Sequence, residues 1–162
     1  MLESKNLASE VGDLLKAMSL TVAVAEACTA GLLGYMLTTV SGSSAYFYGG
    51  FIVYASSMKR RLLHVPQGLL DSWGSVHRLT ALSMAKNVME LSDTDIGISV
   101  TGVAGPTGGT SQRPVGLFYV AVVDTNGYEG CQEYRFGNND RDTNRYAAVR
   151  SALGLLSDYL KR

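Results

Sequence analysis

Two stretches dense in small residues, each directly after a short β-rich apolar run, constrain this chain most. Ala25-Glu26-Ala27-Cys28-Thr29-Ala30-Gly31 follows the run from Leu20 to Ala25. Thr101-Gly102-Val103-Ala104-Gly105-Pro106-Thr107-Gly108-Gly109-Thr110 follows Ile96 to Val100. Small residues after a strand let backbone N–H groups approach a ligand closely, and glycine takes positive φ without steric cost. The first stretch runs into an apolar helical segment, so its free N–H groups lie at a helix start, a natural anion site. The second carries four glycines in ten residues, and a long loop in a compact domain is more often functional than not. The plain alternative for both is a tight structural turn.

The intervening segments alternate in type. Residues 3 to 18 have Leu7, Val11, Leu14, Leu15 and Met18 at helical spacing. Leu20 to Ala25 is apolar almost throughout, as a strand covered on both faces should be. A helix follows over 31–40, ending near Ser41-Gly42-Ser43-Ser44. Residues 46–54 are aromatic and β-branched, a strand with a bend at Gly49-Gly50. A short helix over 55–63 begins at Ser56 or Ser57, Pro66 breaks the chain, and 68–74 is a connector with room for one helical turn. The segment 77–91 is a helix with Leu79, Leu82, Ala85, Val88 and Met89 inward. Strands follow over 95–101, 115–124 and 129–136, the last two joined by Thr125-Asn126-Gly127, a hairpin signal. Asn139 or Asp140 caps a final helix to about Leu160, with Ala147, Ala148, Ser151, Leu155 and Tyr159 on or near its buried stripe. This order predicts one domain over 1–162. It is a three-layer α/β/α sandwich on a five-stranded mixed sheet, mostly parallel with one antiparallel strand. Ligands of such sheets bind at the carboxyl ends of the strands, where both small-residue loops lie.

Bulk properties narrow the partners. Fourteen basic residues balance fourteen acidic ones, and no basic run exceeds Lys59-Arg60-Arg61, so neither nucleic acid nor a membrane surface is expected. No run of about 18 apolar residues is present, and the N-terminal residues lack the apolar run of a signal peptide. Two cysteines, Cys28 and Cys131, fall short of a disulfide framework and fit a reducing cytoplasm.

The candidate chemistry is spread over single residues. The first loop has neither P-loop nor dinucleotide-fingerprint spacing, and no cysteine–histidine metal spacing occurs. His64 and His77 stand alone and read as surface or helix-start residues. Cys28 has no obvious histidine partner and reads as a buried thiol. Tyr54 and Lys59 bracket a strand-to-helix turn that can bring both to one mouth, where an ammonium beside the phenol favours proton transfer; the alternative is a rim tyrosine and a solvated lysine. Glu26 either anchors a ligand hydroxyl or caps its own loop's N–H groups. Arg141 either meets a phosphate or is a solvated helix-start charge.

These motifs together resemble the CinA C-terminal domain family, the nicotinamide mononucleotide deamidases. Ala25 to Gly31 is similar to its Ala-Glu-Ser-Cys-Thr-Gly-Gly signature. The likeness continues through Gly42-Ser43-Ser44-Ala45-Tyr46-Phe47, Tyr54 with Lys59, Thr101 to Pro106 with Gly108-Gly109, Pro114-Val115-Gly116, and Asp140-Arg141-Asp142 with Arg145. The resemblance implies hydrolysis of the nicotinamide carboxamide to the acid mononucleotide and ammonia. It implies a nucleophile at position 27 assisted by Tyr54 and Lys59, and substrate contacts from Glu26, Cys28, Thr29, Gly31, Ser44, Thr101, Gly102, Gly105, Gly108, Gly109 and Arg141. It implies no metal or redox cofactor, and a homo-oligomer. Three departures stand out: Ala27 replaces the signature serine, Ala30 replaces its first glycine, and Ser75-Val76-His77-Arg78 stands where the family often has Ala-Val-Ser-Glu. An alanine methyl cannot form an acyl-enzyme. Two functions therefore follow, an amidohydrolase acting on a pyridine nucleotide or a catalytically silent binding homologue.

Overall fold

The computed structural model describes residues 2–137 and 140–162. Helix α1 (Leu2–Met18) leads into β1 (Val22–Glu26), all five of whose residues are buried. Helix α2 (Leu32–Thr38), a 3-10 turn (Ser43–Ala45) and β2 (Phe47–Ile52) follow. Then come α3 (Ser56–Leu63), α4 (Gln67–Trp73), α5 (Arg78–Ser92), β3 (Ile96–Gly102), β4 (Leu117–Asp124), β5 (Glu129–Arg135) and α6 (Arg141–Leu160). The sheet order is β2-β1-β3-β4-β5. Strand β1 is parallel to β2 and to β3, while β4 is antiparallel to β3 and to β5, so β4 alone runs against the rest. Asp124 closes the β4–β5 hairpin by accepting from the N–H groups of Asn126 and Tyr128, both at 2.8 Å.

Helices sandwich this sheet. On one face Val11 and Leu15 of α1, Leu33 and Leu37 of α2, and Val149, Leu153 and Leu156 of α6 meet Val24, Ile98, Val100 and Val120. On the other, Leu63 of α3, Leu70 of α4 and Met84 and Val88 of α5 cover Ala23 and Ala25. Helix α5 lies unusually close: a Cβ on Gly97 would sit 2.0 Å from the Ala85 carbonyl oxygen, so only glycine fits there.

The details depart from the periodicity in four places. Residues 68–74 belong almost wholly to α4, which starts one residue earlier at Gln67, because the carbonyl of the N-cap Pro66 accepts the first helical bonds from Leu69 and Leu70 N–H at 3.1 and 3.2 Å. Met18 and Leu79 are exposed at helix ends, beyond the reach of the sheet. The buried stripe of α6 runs through Asn144, Ala148, Val149, Ala152, Leu153, Leu156 and Leu160, rotated from the one expected. Apolar and small residues surround this helix almost evenly, so packing against α1 and the sheet selects the face. Asp140 is the N-cap of α6, its carboxylate accepting from Thr143 N–H at 2.7 Å; Asn139, the other candidate, lies outside the described residues.

Candidate functional site

Because β1, β2 and β3 are parallel, their carboxyl ends share one edge of the sheet. Strand β5 runs the same way, so α6 also begins there. At this edge a cavity of about 210 Å³ is lined by Ala27 and Cys28 after β1, by Tyr54 and Lys59 after β2, and by Thr101, Gly102, Gly105 and Gly108 of the second loop. Arg141, at the start of α6, also lines it, as do Ser75, Val76 and Thr107.

Lys59 is only 1 % exposed. The first turn of α3 folds its stem inward, and its Nζ donates to the carbonyl oxygens of Val53 at 2.9 Å and Tyr54 at 3.3 Å. Burial lowers its pKa to about 8, since desolvation disfavours the ammonium. Tyr54 and Lys59 line the same cavity, as the turn between them allows, and among the described residues no hydrogen bond joins the Lys59 ammonium to the Tyr54 hydroxyl. Tyr54 stands at the rim, 60 % exposed, and its hydroxyl accepts from the Arg141 guanidinium at 2.8 Å. The lysine stem is buried while the tyrosine ring stays at the exposed mouth of the same cavity. Cys28 is buried and carries no activation: burial pushes its thiol up to about 11, against the smaller pull of Lys59 and two arginines. Cys28 and Cys131 are both free thiols.

The first turn of α6 holds both loops. Residues 141, 144 and 145 lie on one helical face. Arg141 donates to the Gly105 carbonyl at 2.8 Å, Asn144 to the Ala104 carbonyl at 2.9 Å, and Arg145 to the Thr29 carbonyl at 3.0 Å. Glu26 holds the first loop from below. It is 1 % exposed, and its carboxylate accepts from Gly31 and Leu33 N–H at 3.0 and 3.1 Å and from Gly34 N–H at 2.9 Å. Of the two roles open to Glu26, capping its own loop is the one seen. Gly31 has φ 96°, a conformation that favours glycine, as it enters α2.

Other expected contacts fall outside the cavity. Thr29 is fully buried, and its hydroxyl has no hydrogen-bond partner among the described residues. Gly31 lies on the far side of the loop beside Ile52, and Gly109 packs toward Val115. Ser44 is exposed on the 3-10 turn before β2, at the opposite end of the sheet, so its own chain does not bring it to this cavity. Ser75 and Val76 arrive through backbone contacts. Thr101 Oγ1 donates to the Ser75 carbonyl at 2.8 Å, and Thr80 Oγ1 to the Gly74 carbonyl at 2.7 Å. Their one sequence signal is the departure from the family pattern at 75–78. For Asn144, the signal is its spacing from Arg141.

Residues 4–160 match the model of the CinA C-terminal domain. A CinA-like protein of Rippkaea orientalis is 46% identical over 161 residues, which is 99% of this chain and 38% of that protein. The chain thus spans little more than a third of the length of the curated relatives it matches. The crystal structure of the competence/damage inducible protein CihA from Agrobacterium tumefaciens superposes with a TM-score of 0.95 at 38% identity, covering 99% of this chain and 96% of that one. A competence-damaged protein (CinA) superfamily protein from Escherichia coli gives a TM-score of 0.90 at 31% identity, covering 95% and 89%.

Proposed function

The chain belongs to the CinA C-terminal domain family, and from that premise we propose a nucleotide-binding domain of the amidohydrolase type. It binds nicotinamide mononucleotide or a close relative and, with Ala27 in the nucleophile's place, hydrolyses the carboxamide very slowly. One observation carries this: Ala27 lines the same cavity as the buried Lys59, among loop backbone groups and the Arg141 guanidinium.

The chemistry explains why one atom decides the outcome. A pKa of about 8 leaves Lys59 partly neutral near neutral pH, as a general base must be. A serine hydroxyl at position 27 would pass its proton to the Lys59 amine while its oxygen bonds to the carboxamide carbon. The C–N bond then breaks, and the departing nitrogen takes that proton and leaves as ammonia. Water repeats the sequence on the resulting ester, which releases the acid and returns the serine proton. Loop N–H groups suit the oxyanion formed at each stage. Alanine removes the first step and leaves binding untouched. The neighbouring Cys28 does not replace it, because its thiol stays protonated.

Titration calorimetry tests the binding half. Nicotinamide mononucleotide should bind the unmodified chain, and Arg141→Ala should weaken it about tenfold, the scale of one charge-assisted phosphate contact. Equal affinities would remove Arg141 from the site, and absence of binding would overturn the proposal.

A further inference from the structure

A second cavity, of about 270 Å³, lies beside the first, and Val76 lines both. Its walls include Trp73, His77, Gln112, Arg113 and Tyr119, none of which has a part in the chemistry above. The Trp73 and His77 rings stack with centroids 4.6 Å apart at 17°, and the Tyr119 ring lies 6.2 Å from His77. This aromatic wall is not sealed, for Trp73 is 47 % exposed. Arg113 is anchored against it: its guanidinium donates to the Trp73 carbonyl at 2.8 Å, and its backbone pairs with Thr110 through bonds of 2.9 and 3.0 Å. Arg113 belongs to the same loop whose glycines line the first cavity. The Tyr119 hydroxyl is committed to Glu133 and the His77 Nδ1 to the Leu79 N–H. Flat ring surface and one fixed cation are what remain on offer.

A planar aromatic wall beside a fixed guanidinium recognises a ring joined to an anion, as in a nucleoside phosphate. We propose that the Trp73–His77–Arg113 cavity is a second nucleotide subsite, so that the two neighbouring cavities, which share Val76 in their walls, together take a dinucleotide. The nicotinamide half occupies the first cavity, the second base stacks on the aromatic wall, and Arg113 meets the pyrophosphate. This rests on the mononucleotide assignment of the first cavity.

Calorimetry with nicotinamide mononucleotide and nicotinamide adenine dinucleotide separates the two claims. The unmodified chain should bind the dinucleotide about tenfold tighter. Trp73→Ala should abolish that advantage without changing mononucleotide affinity, which also shows that the variant is folded. Trp73→Phe should keep most of the advantage, and Arg113→Gln should lose part of it. Equal affinities in the unmodified chain, or an advantage that survives Trp73→Ala, would overturn the second subsite alone. Binding of neither compound would overturn both claims.

Discussion

Lys59 concentrates the tension between stability and chemistry in one side chain. Its ammonium is buried, and its pKa in the fold, about 8, lies below the ordinary lysine value of 10.5. Below pH 8 the charge is present in both folded and unfolded chains, and the full desolvation cost weighs on the fold. Between about 8 and 10.5 the unfolded chain binds more protons, so stability rises with pH. Lys59→Met should therefore stabilise the domain near neutral pH by about 1–2 kcal/mol, net of its lost hydrogen bonds. That gain should shrink as pH rises through the window. Thermal unfolding at pH 7 and pH 10 measures both effects, and a destabilised variant at pH 7 would contradict them. Tyr54 and Lys59 could be singled out from sequence spacing, whereas their partners could not. Spacing brings two residues to one turn but does not say that the lysine is buried, that the tyrosine stays exposed or that its hydroxyl meets Arg141.

The turn between β1 and α2 depends on Glu26. Three N–H groups converge on one buried carboxylate, and hydrogen bonds to a charged group are worth about 1.5–3 kcal/mol. Glu26→Gln keeps the shape but turns an N–H donor pair toward those donors. It should cost about 2–3 kcal/mol, read as a lower midpoint in urea with an unchanged slope; an unshifted midpoint would show that the cap is dispensable. The start of α6 holds the opposite side of the cavity. Asn144→Ala should release the loop at Ala104, weakening nucleotide binding more than it lowers stability; calorimetry beside urea unfolding compares the two. Strand β1, with its continuous apolar run, was recoverable from the chain because burial on both faces leaves no alternation to misread. The face of α6 was not, because its small and apolar residues surround the axis.

Across the whole molecule, the parallel strands explain why residues 27, 59, 105 and 141 meet. Four segments distant in sequence end at one edge of one sheet. The closeness of α5 to the sheet is part of this. Gly97→Ala would push a methyl into the Ala85 carbonyl and should cost about 1–3 kcal/mol. The layer order was deducible from the alternation of elements, and the cavity's edge followed from it. The second cavity was not deducible, since Trp73, His77 and Arg113 come from three segments with no shared motif. The proposed amidohydrolase reading holds that this edge lacks only a nucleophile, and ammonia release from nicotinamide mononucleotide by the Ala27→Ser form tests that most directly. The unmodified chain should release ammonia near background, and Ala27→Ser should raise the rate by at least a hundredfold. The rate should climb with pH through about 8, where Lys59 is half deprotonated, and level off above it, and Lys59→Ala in the same background should remove it. Bound substrate with no ammonia release from Ala27→Ser, or brisk release from the unmodified chain, would contradict this assignment.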